Sequence, residues 1–257
     1  VLKVTIALKS RDDWTREETV THYREHHAAL VASSSEFTRF VVKYVQNYVV
    51  RPEDPVFAGQ RQDPVFVSQI WFRSREDFKA AFAVPQIRYI RDDERRFANF
   101  EGIIRQYGRE VEIFDAETGS DAKAIVRRPR VNLFVVRSRK AGTAQAAFQE
   151  YWRGERARAL VEDPVFQRYV RRYVQTHALD GKWAVLDAGS DDVIDEFSFA
   201  TLDDAAAFWD VYRAADEAMV DRETSWFVLA ESRVICAELV AWDGEHGQAA
   251  DAESGSA

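Results

Sequence analysis

The chain has 257 residues, 46% of them hydrophobic and 30% charged, which is the composition of a folded protein and not of a disordered or collagen-like one. With 43 acidic against 35 basic side chains the net charge is −8 and the pI is near 5.3, which argues against nucleic acid as a partner. The single cysteine, Cys236, excludes an internal disulfide and a thiolate-rich zinc centre. Neither a signal-peptide pattern nor an 18-residue apolar run is present, so a soluble, cytoplasmic protein with no membrane partner is expected.

Residues 2–9 alternate Leu2, Val4, Ile6 and Leu8 with Lys3, Thr5, Ala7 and Lys9, the period of a strand with two unlike faces. Thr15-Arg16-Glu17-Glu18 has the form of a capping box, and Val20, Tyr23, His27, Leu30 and Val31 follow at helical spacing, so a helix is expected over about 16–32. Strand character returns at 39–50. The proline- and glycine-bearing stretch 51–64 reads as a loop. A third strand is expected at 65–73, then a helix capped by Ser74 and interrupted by Pro85, a further helical piece carrying Ile87, Ile90 and Phe97, and a fourth strand at about 100–114.

The second half repeats that order, with strands at 131–138, 168–178, 193–200 and 230–242, and helices at about 144–161 and from Leu202 onward, capped by Thr201. Asp-Pro-Val-Phe occurs at 54, 63 and 163 and reads as a device that starts an extended run. Laid over each other without a gap, residues 2–50 and 131–179 share Arg at 24/153 and Ala at 28/157. Residues 37–46 then keep six of ten identities with 166–175. One supersecondary unit is written twice. The expected organisation is a βαββαβ repeat at 1–115, a linker at 116–129, a second repeat at 130–243 and a disordered tail at 244–257. Each repeat is a ferredoxin-like α+β unit with one bare sheet face. Two of them would cover each other as an eight-stranded α+β barrel with helices outside and a cavity between the sheets. Such a chain works as a monomeric pseudo-dimer or as a homodimer.

Across Arg11 to Thr15, Tyr23-Arg24-Glu25-His26-His27-Ala28-Ala29-Leu30 and Arg39-Phe40-Val41, the sequence resembles the EthD family of the dimeric α+β barrel superfamily. The resemblance implies that barrel, here as a tandem fusion, with His27 in the place of the family's helix histidine. It also implies cofactor-independent dehydration, decarboxylation or cyclisation of aromatic or polyketide-like compounds. Cofactor-free oxygenation and haem use also occur in the superfamily, and His177 and the histidines of the first helix are the candidate axial ligands.

His27 shares a helix face with Val20, Tyr23, Leu30 and Val31 and therefore points towards the sheet, where it is either a core histidine or a proton acceptor. Its counterpart at the repeat offset is Arg156, a guanidinium that cannot act as a base near neutral pH and can only position an anion or pair with a carboxylate. His22 and His26 are expected on the solvent face, where four-residue spacing alone does not make a metal site. Residues two apart on a strand share a face, so Tyr44, Gln46 and Tyr48, with Tyr173, Gln175 and His177, are expected to line the cavity beside Gln69 and Trp71. Glu196, between Ile194 and Phe197, is a candidate buried acid, or else a partner of Arg171 or Arg172. No nucleotide fingerprint, phosphate loop or nucleophile elbow is present. The expectation is therefore a lyase without cofactor or metal. His27 serves as base, with Tyr44 and Glu196 as further catalytic groups, on a small aromatic or polyketide-like substrate. The alternatives are a cofactor-free monooxygenase and a non-catalytic binding barrel.

Overall fold

The computed structural model describes residues 1–49, 64–116, 131–139, 142–179, 192–221 and 233–243. The expected linker beyond residue 116, the tail from 244 and nearly all of both long loops lie outside them. Strand β1 (Leu2–Ser10) leads to helix α1, which runs Arg16–His22, passes through a π-helical turn at Tyr23–His27 and continues over Ala28–Ser33. There follow α2 (Ser35–Thr38), β2 (Val41–Val49), β3 (Phe66–Phe72), α3 (Arg75–Ala81), α4 (Ile87–Phe97) and β4 (Ala98–Asp115). The second half opens with β5 (Val131–Arg137). Its helix α5 repeats the pattern of α1, with Gln145–Tyr151, a π turn at Trp152–Arg156 and Ala157–Val161. It ends with α6 (Pro164–Tyr169), β6 (Val170–Ala178), β7 (Val193–Phe199), α7 (Leu202–Asp221) and β8 (Arg233–Asp243).

All eight strands pair antiparallel in one ring, β1-β3-β2-β8-β5-β7-β6-β4, closed by β4 on β1. Exchanging the halves strand for strand maps this ring onto itself. The two halves meet at β2–β8 and β6–β4, so closure leaves no unpaired sheet edge. Two apolar layers lie between the ring and the helices, one around Phe72, Phe78 and Ile90, the other around Phe166, Phe197 and Phe208. Each fully buried phenylalanine contributes about 2–3 kcal/mol of transfer free energy to these layers.

Local chemistry sets the element ends. Thr15 and Glu18 form the expected capping box of α1, an arrangement worth about 1 kcal/mol. Asp163-Pro164 departs from the expected extended run. Asp163 accepts from the amides of Val165 and Phe166, and Pro164 occupies the first turn of α6, where its missing N–H costs nothing. At Pro64, by contrast, the chain does enter a strand.

A larger correction concerns the face of β2. Val41 and Tyr44 both pack towards the helices, although they are three apart, because the register shifts between Val41 and Lys43. The same shift recurs in β6 between Val170 and Arg172. Each bulge inserts one residue and inverts the alternation beyond it. Tyr44, Gln46 and Tyr48, and likewise Tyr173, Gln175 and His177, therefore lie on the helix side of the ring, not in its interior. Gln69, Trp71 and Glu196 do face inward, as expected.

Among the described residues, polar side chains from both halves meet in the interior, at the place of the expected cavity between two sheets. Asn47 donates to Gln69 and the Val67 carbonyl, Asn132 donates to Asn47, and Ser198 donates to Asn132. Towards one end Lys3 bridges Glu196 (2.8 Å) and Glu110 (2.9 Å), Gln69 donates to Glu196, and Trp71 donates to Glu110. Burial works to raise the Glu110 carboxyl, yet the charges of Lys3 and Arg172 hold it down to about 2. Glu196 is likewise lowered by Lys3 and Arg172 against the opposing effect of burial.

Candidate active site

The π turns place the first candidate residues. Widening α1 by one residue directs the Ala28 amide to the Tyr23 carbonyl, which also accepts from Gln46 Nε2 on β2 at 3.3 Å. In α5 the Trp152 carbonyl is held by Gln175 in the same way, at 3.1 Å. The two glutamines found in the repeat are thus clamps on π turns, features often found at functional sites. The turn brings Tyr23 and His27 to the sheet side, stacked 5.4 Å apart, with Tyr23 also stacked on Phe66 at 3.8 Å.

His27 is buried, 3% exposed. Its Nδ1 lies 3.0 Å from Asp93 Oδ2 on α4, and the other carboxylate oxygen lies 2.9 Å from His22 Nε2. His22 is therefore not on a free solvent face. It packs against Trp14 and Phe97 and completes a His22–Asp93–His27 chain. Burial works against the Asp93 charge, but the hydrogen bonds from His27 and His22 outweigh it and lower its pKa. An ionised Asp93 fixes the His27 proton on Nδ1 and leaves Nε2 as the acceptor. Next along α4, Glu94 Oε1 lies 4.0 Å from that Nε2. Burial raises its pKa despite the nearby charges of His27, Arg91 and Arg105.

These groups open on a cavity of about 250 Å³ between α1, α4 and the outer face of the sheet. His27, Tyr44, Ser68 and Glu94 supply its polar lining together with Arg91, Arg95 and Arg105. Phe37, Ile70, Phe82 and Ile90 are among its apolar walls. Tyr44 donates to Tyr23 at 3.2 Å and accepts from Gln46 at 3.1 Å, and the Tyr23 hydroxyl meets Ser68. Burial raises the Tyr44 phenol, so it remains a neutral donor.

Of the residues expected at a site, the structure brings His27, Tyr44, Gln46 and Tyr48 into one layer, Tyr48 through its bond to Gln46. It separates them from Gln69, Trp71 and Glu196, which stand on the inner face of the ring, so Glu196 does not share the His27 pocket. Arg156, Tyr173, Gln175 and His177 belong to the corresponding layer of the second half. There Asp195 takes the place of Ser68 and accepts from Trp152 Nε1 and the Tyr173 hydroxyl. Arg156 is buried against the rings of Trp152 and Tyr212, at 5.8 and 5.3 Å. His177 Nε2 lies 2.9 Å from Gln175 Oε1, and burial drives its pKa down to about 4.

Sequence reasoning missed Asp93, Glu94, Arg91 and Arg105. A helical count from Ile90 places Asp93, Glu94 and Phe97 on its own face. Two acids between apolar anchors were the available signal.

A family profile described as the EthD domain matches residues 11–101, which contain α1, β2, β3 and α4. No curated protein matches the chain significantly. Among solved structures, an anthrone oxidase-like protein is similar over 97% of this chain and 95% of its own, with a TM-score of 0.65 at 16% identity. A mutant chlorite dismutase from Candidatus Nitrospira defluvii is similar over 96% and 93%, with a TM-score of 0.49 at 13% identity. The first of these likenesses is one of fold, and it extends the α+β barrel across both halves. Residues 11–101, which hold the His22–Asp93–His27 chain, are the stretch that matches the EthD domain profile.

Proposed function

We propose that the protein is a cofactor-independent lyase that uses His27 as general base on a small aromatic or polyketide-like compound. The observation that carries the reading is the pairing on one pocket wall of a base and an acid with divergent environments. His27 is oriented by an ionised Asp93, while Glu94 is driven by burial towards its neutral form. A histidine oriented by a carboxylate suits the base role, and a carboxyl whose pKa burial raises suits the acid role. His27 Nε2 takes a proton next to a substrate carbonyl, the Tyr44 hydroxyl turns from Tyr23 to donate its single hydrogen bond to the resulting oxyanion, and Glu94 protonates the departing hydroxyl as water leaves. The apolar walls suit a flat ring system.

A second reading, in which the deprotonated substrate reacts with O2, is suggested by the description of the fold neighbour as anthrone oxidase-like. The test is product analysis on a panel of aromatic β-hydroxy and β-keto compounds, in air and under nitrogen, with the native protein and His27→Ala. A product lighter by water or carbon dioxide, formed equally without O2 and lost in the variant, supports the lyase. A product that gains oxygen and forms only in air replaces it with the second reading. Turnover unaffected by His27→Ala sinks both.

A further inference from the structure

The His27 pocket contains more positive charge than its own acids neutralise. Three arginines line it, against the single carboxyl of Glu94. Arg95 is accounted for, since its guanidinium is paired with Asp92 at 2.6 Å on the exposed side of α4. Arg91, on α4, and Arg105, on β4, are not. Among the described residues neither takes part in an ion pair. Arg91 Nη2 and Arg105 Nε are buried donors with no acceptor. The Arg91 guanidinium rests 5.4 Å from the Phe82 ring, which keeps it at the apolar wall. Glu94 is poorly suited to quench them, because burial raises its pKa. Two unsatisfied guanidinium donors at a mainly apolar, helix-covered cavity are an arrangement that a planar anion completes, since a carboxylate accepts two parallel hydrogen bonds from an arginine fork.

We infer that Arg91 and Arg105 form a carboxylate subsite, so the compound bound in this pocket is an aromatic or fused-ring carboxylic acid held by its carboxylate beside His27. This rests on the reading of the His27 pocket as the substrate site and narrows its substrate class to anions. Arg95 and Glu94 are not part of the clamp. The subsite accounts for orientation, because the carboxylate is held at the arginines while the ring lies against Phe37, Ile70 and Phe82.

The experiment measures binding, so it is independent of turnover. Benzoate, 2-naphthoate and anthracene-9-carboxylate, each with its neutral carboxamide, are titrated calorimetrically into the native protein, His27→Ala, Arg91→Gln, Arg105→Gln and Arg105→Lys at pH 7.5, with thermal melts alongside. At least one acid is expected to bind roughly tenfold or more tighter than its amide, as for a hydrogen bond to a charged group. Either glutamine variant should remove that preference while leaving amide binding within about twofold, and Arg105→Lys should restore part of it. His27→Ala should keep it, so a failed base assignment would leave the subsite standing. The inference is overturned if no acid binds more tightly than its amide, or if folded glutamine variants retain the preference.

Discussion

His27 Nδ1 and Asp93 Oδ2 are 3.0 Å apart although 66 positions separate them, and the other oxygen of the same carboxylate meets His22. That contact joins two elements whose relation no local pattern reveals, and it determines which nitrogen of His27 faces the cavity. His27→Ala is expected to lower kcat by roughly 100-fold or more, the usual scale for a general acid–base group. Asp93→Asn keeps the shape but loses the charge that fixes the tautomer, and it should lower kcat with little change in KM. His22→Ala removes one of two hydrogen bonds to Asp93 and should cost about 1 kcal/mol in a melt, a larger effect than a solvent-face histidine would show. Steady-state rates on one turned-over substrate, with melting curves, check all three. An active, folded His27→Ala enzyme would remove the base from this pocket.

Lys3 Nζ holds Glu196 and Glu110 together inside the ring. Lys3→Met removes the cation that bridges the two carboxylates and leaves Arg172 beside Glu110, and breaking a buried pair on one side costs about 3–5 kcal/mol. Chemical denaturation should show that loss. The triple variant Lys3→Met, Glu110→Gln, Glu196→Gln should recover much of it. Equal stability of native and Lys3→Met proteins would show that the cluster does not support the barrel.

In the second half burial acts on two neighbours with opposite signs. His177 is depressed to about 4 and Asp195 raised to about 6. A histidine whose folded pKa lies below its unfolded value contributes stability above the unfolded pKa of about 6.5, and this is lost as pH falls towards 4. A carboxyl whose folded pKa is raised contributes below its unfolded value of about 3.8, and this is lost as pH rises through about 6. In the native protein the two largely offset one another between pH 4 and 6. His177→Gln should therefore lose stability as pH rises across that window, and Asp195→Asn should gain it, each by on the order of 2 kcal/mol. Denaturation midpoints from pH 4 to 6.5 decide the matter, and parallel slopes in the two variants would refute it.

At the β4–β6 junction a Cβ added at Gly108 would lie 2.5 Å from Thr176 Cγ2 and 2.8 Å from the His177 carbonyl oxygen. The backbone cannot retreat without opening the ring. Gly108→Ala should destabilise by about 1–3 kcal/mol through overpacking, and Gly108→Ala with Thr176→Ser, which removes the clashing methyl, should regain part of it. A midpoint unchanged in Gly108→Ala would show that the junction yields freely.

The order of elements and their caps are written in the chain itself. Strand alternation, helical spacing and the Thr15–Glu18 box are local, and 46% hydrophobic residues in those periods suffice to bury a core. The burial of His27 on the sheet side of its helix followed from the same spacing. Tertiary structure decided the rest. Period two states which residues share a face but not which layer that face meets, and the bulges at Val41–Lys43 and Val170–Arg172 reversed the assignment for Tyr44 and Tyr173. Ring closure brought polar side chains together at the place of the expected central cavity, because Lys3, Glu110 and Glu196 meet only when strands of both halves join one ring. The His27 pocket lies beneath α4, whose Asp93 and Glu94 meet the histidines of α1. Hydrogen bonds across such sequence separations arise from chain packing, which no short window of residues encodes.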